Sequence, residues 1–169
     1  METKIAFGGG CHWCTEAVFQ FLNGVVKVAQ GWVNSFEEDA SFSEAVIVTF
    51  DTAVISLETL IEIHLYTHKS TTEHSFREKY RSGVYAFSNE QLEASKYSIN
   101  NLQSRFDQAI ITKVVPFNSF QTSRKQMLGY YKKNPKKPFC KRYINPKLEL
   151  VLEKFSKYVD REELAYLTN

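Results

Sequence analysis

The sequence predicts an α+β fold in which a mixed β-sheet, built around a split β-α-β unit, is flanked by helices. Strand-like and helix-like patterns alternate along the chain, but two strand patterns follow one another directly, which favours a mixed sheet over a purely parallel one. The 169 residues, 43% of them hydrophobic, are enough for one core. We therefore expect residues 1–169 to form a single domain.

The strands are predicted from short runs that are apolar or rich in β-branched residues and that end at turn residues. They cover residues 4–7, 25–33, 45–50, 83–87 and 110–115. The first run leads directly into Gly8-Gly9-Gly10, and the last is stopped by Pro116. The first strand is therefore expected to pass through a tight turn before the first helix begins.

The helices are predicted from apolar residues that recur at three- and four-residue spacing. They cover residues 13–22, 57–65, 89–106, 123–133 and 148–158. Ser56 occupies an N-cap position, and Ser88 with Gln91 forms a capping-box pattern. These caps predict where the second and third helices begin.

The charge of the chain is nearly balanced, with 21 basic and 19 acidic residues and a net charge of +2. The nearest candidate for a nucleic-acid-binding face is the basic run over residues 132–142, which we interpret as a solvated loop because two prolines and an asparagine interrupt it. No apolar stretch approaches the ~20 residues of a spanning helix, and residues 1–10 lack the pattern of a signal peptide. We expect a monomeric cytoplasmic protein that binds neither nucleic acid nor membranes.

Three cysteines are present, Cys11, Cys14 and Cys140. An odd number without an export signal argues against a framework of structural disulfides. In a reducing compartment, a close pair of cysteines plus a distant one indicates either metal binding or thiol chemistry. The surroundings of the pair decide between these two.

The strongest local motif is the stretch from Gly8 to Cys14, GGGCHWC. Three glycines after a strand allow a sharp turn, which leaves Cys11 at the N-terminus of a helix. Free N–H groups and the helix dipole favour a negative charge there, so we expect the pKa of the Cys11 thiol to be lowered and the thiol to be reactive. The alternative is a small buried residue that only fills a tight turn.

Two other kinds of site share the Cys-x-x-Cys spacing. A structural zinc site needs four ligands, and the remaining cysteine and histidines include no second pair at ligand spacing. A thioredoxin-like disulfide oxidoreductase also places this motif after a strand, at the start of a helix. The three glycines and the two consecutive strands that follow the first helix are unusual for such a protein.

Further motifs accompany the stretch FGGGCHWCTEAVF at residues 7–19. They are Gly24-Val25, Gly31-Trp32, Ser43-Glu44-Ala45-Val46, Phe50-Asp51, Thr67-His68, Tyr80-Arg81-Ser82 and the segment from Tyr130 to Cys140. In this order, they resemble the motifs of the peptide methionine sulfoxide reductase A (MsrA) family over residues 4–157. The resemblance implies the ferredoxin-like sandwich of that family and the thiol-dependent reduction of methionine S-sulfoxide, free or in peptides.

Reduction of a sulfoxide requires a nucleophile that attacks sulfur and a proton for the departing oxygen. The resemblance makes Cys11 the nucleophile and Glu44 the acid that protonates the oxygen. Glu44 must then keep its proton, so we expect its carboxyl to be partly buried. Tyr80 would donate a hydrogen bond to the same oxygen, although by itself it reads as an ordinary amphipathic aromatic.

The remaining roles also follow from the resemblance. Trp13 would form an apolar wall for the methyl group of the substrate. The reaction leaves Cys11 as a sulfenic acid, which a second thiol converts to a disulfide. Cys140 and Cys14 both match resolving positions, and the sequence leaves their order open. An external thiol reductant of the thioredoxin type would regenerate the enzyme, with no metal or other cofactor.

The chain departs from the family's motifs around the expected substrate. His12 replaces the aromatic that follows the nucleophile, the loop over residues 34–42 is shortened, and the segments 74–79 and 124–128 are rewritten. Loss of one hydrogen-bond donor at the oxygen could cost on the order of 10²–10³ in rate if nothing compensates for it. We expect His12 and His74 to supply replacement hydrogen bonds. The alternative is that Cys11 acts on another oxidised sulfur or electrophile.

Overall fold

The computed structural model describes residues 1–74 and 76–167, and its fold confirms the predicted α+β class with a mixed sheet. The strands are β1 Glu2–Gly8, β2 Val25–Asn34, β3 Ser43–Asp51, β4 Gly83–Ala86, β5 Lys113–Pro116 and β6 Ser119–Thr122. They form one sheet in the order β5-β4-β1-β3-β2-β6. Strands β4 and β5 pair parallel, and the other neighbouring strands pair antiparallel.

The predicted split β-α-β unit is present. Strands β1 and β2 are connected by helix α1 (His12–Gln20), and β3 lies between them in the sheet. The register places Gly8 at the end of β1 opposite Ala45, and Trp32 on β2 opposite Glu44. The end of β1, the end of β2 and the start of β3 therefore meet at one end of the sheet, where α1 begins.

The other helices are α2 Leu57–Thr67, α3 Asn89–Leu102, α4 Tyr130–Lys133 and α5 Asn145–Lys154. The hydroxyl oxygens of Ser56 and Ser88 accept hydrogen bonds from the backbone N–H groups of Thr59 and Gln91, so both predicted N-caps are confirmed. A π-helical turn, Cys140–Ile144, leads directly into α5. None of the helices in the described residues is long and apolar enough to cross a membrane.

The side chains of the central strands alternate between two faces of the sheet. On one face, residues such as Phe7, Val46 and Val48 pack with α1, α2 and α5 in the main core. On the other face, Ala45 and Tyr85 belong to a smaller apolar cluster. Glu44 and Val46 are two residues apart on β3, so their side chains lie on the same face of the sheet. The side chain of Glu44 is therefore directed toward the helices.

The structure differs from the prediction most clearly in one helix and in the last two strands. The helix predicted over residues 123–133 is wrong for most of its length, because Gly129 adopts a left-handed φ of 64° and only α4 and a 3-10 turn, Lys125–Met127, remain. Strand β5 begins at Lys113 rather than at residue 110. Strand β6, which pairs with β2, was not predicted, because its four residues carry no strong apolar alternation.

Candidate active site

Cys11 occupies the N-cap position of α1, where its carbonyl oxygen accepts hydrogen bonds from the backbone N–H groups of Cys14 (3.0 Å) and Thr15 (3.2 Å). The pKa of its thiol is lowered, as the sequence predicts. The main cause is a hydrogen bond that the Cys11 sulfur accepts from the Cys14 thiol, and backbone N–H groups at the helix start act in the same direction. Partial burial and the charge of Glu44 oppose this lowering.

Cys14 is buried one turn further along α1 and is the hydrogen-bond donor to Cys11. Donating this hydrogen bond raises the pKa of the Cys14 thiol strongly, and burial raises it further. The Cys11 thiol is therefore the more acidic of the pair, and the Cys14 thiol is its hydrogen-bond donor. This is the arrangement that a nucleophile with an adjacent resolving thiol requires.

Cys140 is fully buried in the π-helical turn, and its thiol donates to the carbonyl oxygen of Asn134 at 3.5 Å. Burial raises the pKa of this thiol. Negative charge on Cys11, and to a smaller extent on Cys140, raises the pKa of the Cys14 thiol, so both sulfurs lie within electrostatic range of Cys14. All three cysteines are free, so the structure corresponds to the reduced form.

Gly9 in the turn before Cys11 has a steric role. A Cβ atom there would lie 2.4 Å from Cδ2 of His68, whereas a Cβ at Gly10 would meet no atom within 4 Å. The His68 ring is fixed because Nδ1 donates to the His64 carbonyl oxygen (2.5 Å) and Nε2 contacts the Ser82 hydroxyl (2.7 Å). The turn therefore needs glycine at position 9 to fit against His68.

Glu44 is only 6% exposed and lies at the start of β3, next to the N-terminus of α1. Its Oε1 accepts a hydrogen bond of 3.2 Å from the backbone N–H of His12, the residue that follows Cys11. The ammonium group of Lys79 lies 3.6 Å from Oε2. The structure thus brings Glu44 to the immediate neighbourhood of Cys11 and confirms the burial expected of it.

His12 is buried between α1 and the sheet rather than exposed on a pocket wall. Its Nδ1 lies 2.9 Å from the carbonyl oxygen of Gly31, so this nitrogen carries the donated hydrogen. Its Nε2 lies 3.4 Å from Oε1 of Glu44, and its ring contacts the edge of Trp32. His12 therefore contacts the predicted acid.

Tyr80 lies in the loop that connects α2 to β4, three residues before the strand, and the ammonium of Lys79 lies 5.1 Å from the centre of its ring. This loop is held by Arg77, whose guanidinium donates to the carbonyl oxygens of Gly9 (3.0 Å), Tyr80 (2.9 Å) and Lys69 (2.5 Å). Arg77 belongs to the rewritten segment 74–79. It ties the loop that carries Tyr80 to the turn that carries Cys11.

A cleft of about 380 Å³ opens at Cys11, and its exposed surface is largely apolar. We call it the cysteine cleft; it is lined by Gly9, Gly10, Cys11, Cys14, His68, Lys69, His74, Phe76, Tyr80, Phe139, Tyr143 and Lys147. Besides the histidines, four of the lining residues are aromatic. Such a lining suits a cleft that receives an apolar side chain. Of the predicted site residues, Cys11, Cys14, Tyr80 and His74 line it.

Trp13 and Cys140 lie behind the wall of the cysteine cleft. The indole ring of Trp13 stacks on Tyr130 with 4.0 Å between ring centres and meets the edge of Phe139, which lines the cleft. The predicted contact of Trp13 with the substrate stays a prediction, and in this structure Phe139 stands in front of it. Glu44 and His12 approach from the sheet side, behind the turn of Cys11.

Comparison with known proteins identifies the chain. Residues 3–159 match the sequence profile of the family described as peptide methionine sulfoxide reductase. The peptide methionine sulfoxide reductase MsrA of Pasteurella multocida (strain Pm70) is 33% identical over 169 residues, covering 92% of this chain and 97% of the relative. The chain belongs to the peptide methionine sulfoxide reductase family.

Solved structures agree with this membership of the reductase family. Mxr1 from Saccharomyces cerevisiae in reduced form is 26% identical, with a TM-score of 0.72 over 82% of this chain and 89% of that chain. Mxr1 in complex with Trx2 is 25% identical, with a TM-score of 0.62 over 75% of this chain and 84% of that chain. Among the described residues, no group of three or more His, Cys, Asp and Glu side chains could hold a metal ion.

Sequence reasoning missed several residues that line the cysteine cleft of this family member. Phe76 and Tyr143 lie in polar stretches without periodic pattern, so nothing marked them as functional. Phe139 could have been noticed, because it directly precedes Cys140 in the family-like segment. Lys147 lies outside every motif that carried the resemblance, and only the packing of α5 against α1 brings it to the cysteines.

Proposed function

We propose that this protein is a peptide-methionine (S)-S-oxide reductase, which acts on free or peptide-bound methionine sulfoxide with Cys11 as the nucleophile. The observation that carries the proposal is the sulfur of Cys11, whose pKa is lowered by the Cys14 thiol and which opens onto the aromatic cysteine cleft. A thiolate in an apolar cleft suits a small, neutral, sulfur-containing substrate. Membership of the reductase family supports the same reaction.

In the first half-reaction, the Cys11 thiolate attacks the sulfoxide sulfur, and the sulfoxide oxygen takes up a proton. Methionine leaves with its sulfur reduced by two electrons, and the oxygen stays on Cys11 as a sulfenic acid, so the Cys11 sulfur is oxidised by two electrons. Glu44 supplies the proton, supported by the hydrogen bond that its carboxyl accepts from His12, the residue that follows the nucleophile. Tyr80, which lines the cleft, donates a hydrogen bond to the oxygen.

The second half-reaction converts the sulfenic acid to a disulfide. Cys14 is the first resolving thiol in our proposal, because its thiol already contacts the Cys11 sulfur. Cys140 then exchanges with the Cys11–Cys14 disulfide, supported by the interaction between Cys140 and Cys14. A thioredoxin-like dithiol reduces the final disulfide; the complex of Mxr1 with Trx2 supports a reductant of this class.

The proposal also includes the substrate contacts of the cleft. His74 lies at its rim and can donate to a substrate carboxylate or backbone carbonyl, whereas Phe139, backed by Trp13, supplies the apolar wall for the methyl group. Two lysines and no carboxylates line the cleft, so the sulfoxide oxygen and a peptide carbonyl meet donors rather than acceptors. A single catalytic domain, working as a monomer in the reducing cytoplasm, completes the proposal.

The test is a single-turnover reaction of the reduced protein with each sulfoxide epimer of a short methionine sulfoxide peptide. Wild-type protein should form methionine from the S-epimer and lose two thiols per methionine without an external oxidant. Cys11→Ser should form none, and Glu44→Gln should be slower by about 10²-fold or more, because a positioned acid is lost. Tyr80→Phe should be slower than its matched control Tyr97→Phe, since Tyr97 is 69% exposed and remote from the cleft. Methionine formation by Cys11→Ser would refute the proposal.

A further inference from the structure

Lys147 lies in the first turn of α5 and points toward the two cysteines of α1. Its ammonium group donates a hydrogen bond to the carbonyl oxygen of Thr67, the last residue of α2. Its side chain lines the cysteine cleft and also a small cavity deeper in the molecule, where it faces Cys11 and Cys14. The cation is therefore held at the junction of three helices, beside the thiol pair.

Local helix stability does not explain a lysine at this position. The π-helical turn runs directly into α5, so the backbone around Lys147 is continuous helix and offers no helix end with which its charge could interact. In the described part of the chain, no carboxylate forms an ion pair with Lys147. Burial lowers the pKa of its ammonium group, and negative charge at Cys14, and less at Cys11, raises it. The acidic groups that interact with the charge of Lys147 are thus the thiols of Cys14 and Cys11.

The small cavity has a volume of about 40 Å³, which is the space of roughly one water molecule. Polar groups from three elements surround it, including the Cys11 and Cys14 sulfurs, the Thr67 residue and Lys147. A water molecule formed at Cys11 would have room there, next to an ammonium group. Cys11, Cys14 and the titratable side chain of Lys147 therefore line the same small cavity.

The other titratable groups near Lys147 are less suited to moving a proton. Those that face it from the elements packed around α5 are Cys11, Cys14, His64, His68, Lys69, His74, Tyr80 and Tyr143. Both ring nitrogens of His68 are engaged, and Nε2 of His64 is bound to the carbonyl oxygen of Gly8. Lys69 is exposed, and His74 lies at the rim of the cleft. Lys147 keeps a donor for the carbonyl oxygen of Thr67 in either charge state, so its charge can change without loss of this hydrogen bond.

We infer that Lys147 is the proton carrier of the second half-reaction, an inference that rests on the proposed function. The amine of Lys147 takes the proton of the Cys14 thiol, and the resulting thiolate attacks the sulfur of the Cys11 sulfenic acid. A disulfide bond forms, the S–O bond breaks, and the departing hydroxide takes the proton from the Lys147 ammonium to leave as water. The two electrons come from Cys14, and Lys147 ends as it began.

Variants at position 147 test this inference in a Cys140→Ser background, where only Cys14 can resolve Cys11. Lys147→Met removes the amine at nearly constant length, and Lys147→Arg keeps a positive charge that does not give up its proton. The matched control is Lys141→Met, which removes an exposed lysine from the preceding π-helical turn. Rapid-quench samples after one addition of methionine sulfoxide peptide report methionine formed, sulfenic acid trapped by dimedone, and thiols remaining.

We expect disulfide formation to slow by about 10²-fold in both Lys147→Met and Lys147→Arg, within the usual range for loss of an acid–base group. Methionine formation should slow by less than tenfold, so that sulfenic acid accumulates. In Lys147→Met, the rate of disulfide formation should rise about tenfold for each unit by which the pH is increased, because hydroxide must then deprotonate Cys14. The control should resolve at the rate of the Cys140→Ser parent.

Two results would overturn the inference: resolution at the parent rate in Lys147→Met, or full recovery of that rate in Lys147→Arg, which would show that charge alone is enough. Equal slowing of both half-reactions would also overturn it, because that pattern indicates a structural role. Absence of methionine formation in the parent protein would instead contradict the proposed function. The two failures are therefore distinguishable in one experiment.

Discussion

The imidazole of His12 and the carboxyl of Glu44 face each other across the start of α1, with Nε2 3.4 Å from Oε1. Because Nδ1 gives its hydrogen to the carbonyl oxygen of Gly31, Nε2 of a neutral ring presents a lone pair to Glu44. A lone pair facing a carboxylate oxygen is repulsive, so the contact is favourable when one proton is shared between the two groups. A proton held by this pair is the one that we propose Glu44 delivers to the sulfoxide oxygen.

Replacement of His12 tests this relationship. His12→Phe, which installs the residue typical of the family motif, should lower kcat on methionine sulfoxide at least tenfold, because the shared proton is lost. It should also cost about 1–3 kcal/mol of stability, since the carbonyl of Gly31 loses a buried donor. Steady-state kinetics and urea unfolding measure the two effects.

The control for that substitution is His12→Asn, whose amide nitrogen can occupy the position of Nδ1 and leaves no group at the position of Nε2. This variant should recover most of the stability but not the activity. Higher activity in His12→Phe than in wild type would show that His12 does not assist the acid.

Two neighbouring glycines should respond differently to alanine. Gly9→Ala forces a Cβ against the His68 ring, which is held at both nitrogens, so we expect a loss of about 1–3 kcal/mol. Gly10→Ala meets no atom within 4 Å and should change the free energy of unfolding by less than about 0.5 kcal/mol. Urea unfolding of both variants measures the difference, and equal effects would contradict the packing described for His68.

Acid should destabilise the protein through His68. Burial lowers the pKa of His68 from 6.5 to about 3, so the unfolded chain binds a proton that the folded chain excludes between these two values. Stability should therefore be retained above pH 6.5 and fall as the pH decreases toward 3, with a slope of up to about 1.4 kcal/mol per pH unit from this group.

The contribution of His68 is isolated by comparison with His68→Gln, which keeps a donor near Ser82 but does not titrate. Urea unfolding of both proteins from pH 7.5 to pH 4.5 should give a shallower decline in the variant. His74→Gln, which alters an exposed histidine, should leave the wild-type slope in place. Parallel curves for wild type and His68→Gln would refute this assignment.

Much of the fold could be predicted because its signals are local. The β-branched runs of β2 and β3 and the caps at Ser56 and Ser88 depend on residues within a few positions of one another, and the structure confirms them. The prediction failed over residues 123–133, where Gly129 in a left-handed conformation ended a pattern that otherwise looks helical. Strand β6 escaped detection because its partner β2, almost a hundred residues earlier, supplies its pairing.

The candidate site likewise combines features that follow from local sequence with features that depend on tertiary packing. The thiol at the start of α1 and its lowered pKa follow from residues 8–14, although the chief cause is the thiol of Cys14, which depends on its rotamer. The aromatic walls of the cysteine cleft could not be predicted from the sequence, because Phe76 lies more than 60 residues before the segment that carries Phe139 and Tyr143. Trp13, the aromatic nearest to the nucleophile in sequence, instead packs against Tyr130 behind the wall.

The sequence alone determined the order of the elements from β1 to β5, the glycine turn and the position of Cys11 at the start of a helix, since each depends on backbone preferences of adjacent residues. Tertiary structure decided which groups serve that cysteine. Glu44 meets His12 across 32 positions of sequence and Lys147 meets Thr67 across 80, because the sheet register and the packing of α5 bring them together. Local preferences carry no information about such encounters, so Glu44 was named only through the family resemblance, and Lys147 became apparent only in the folded chain.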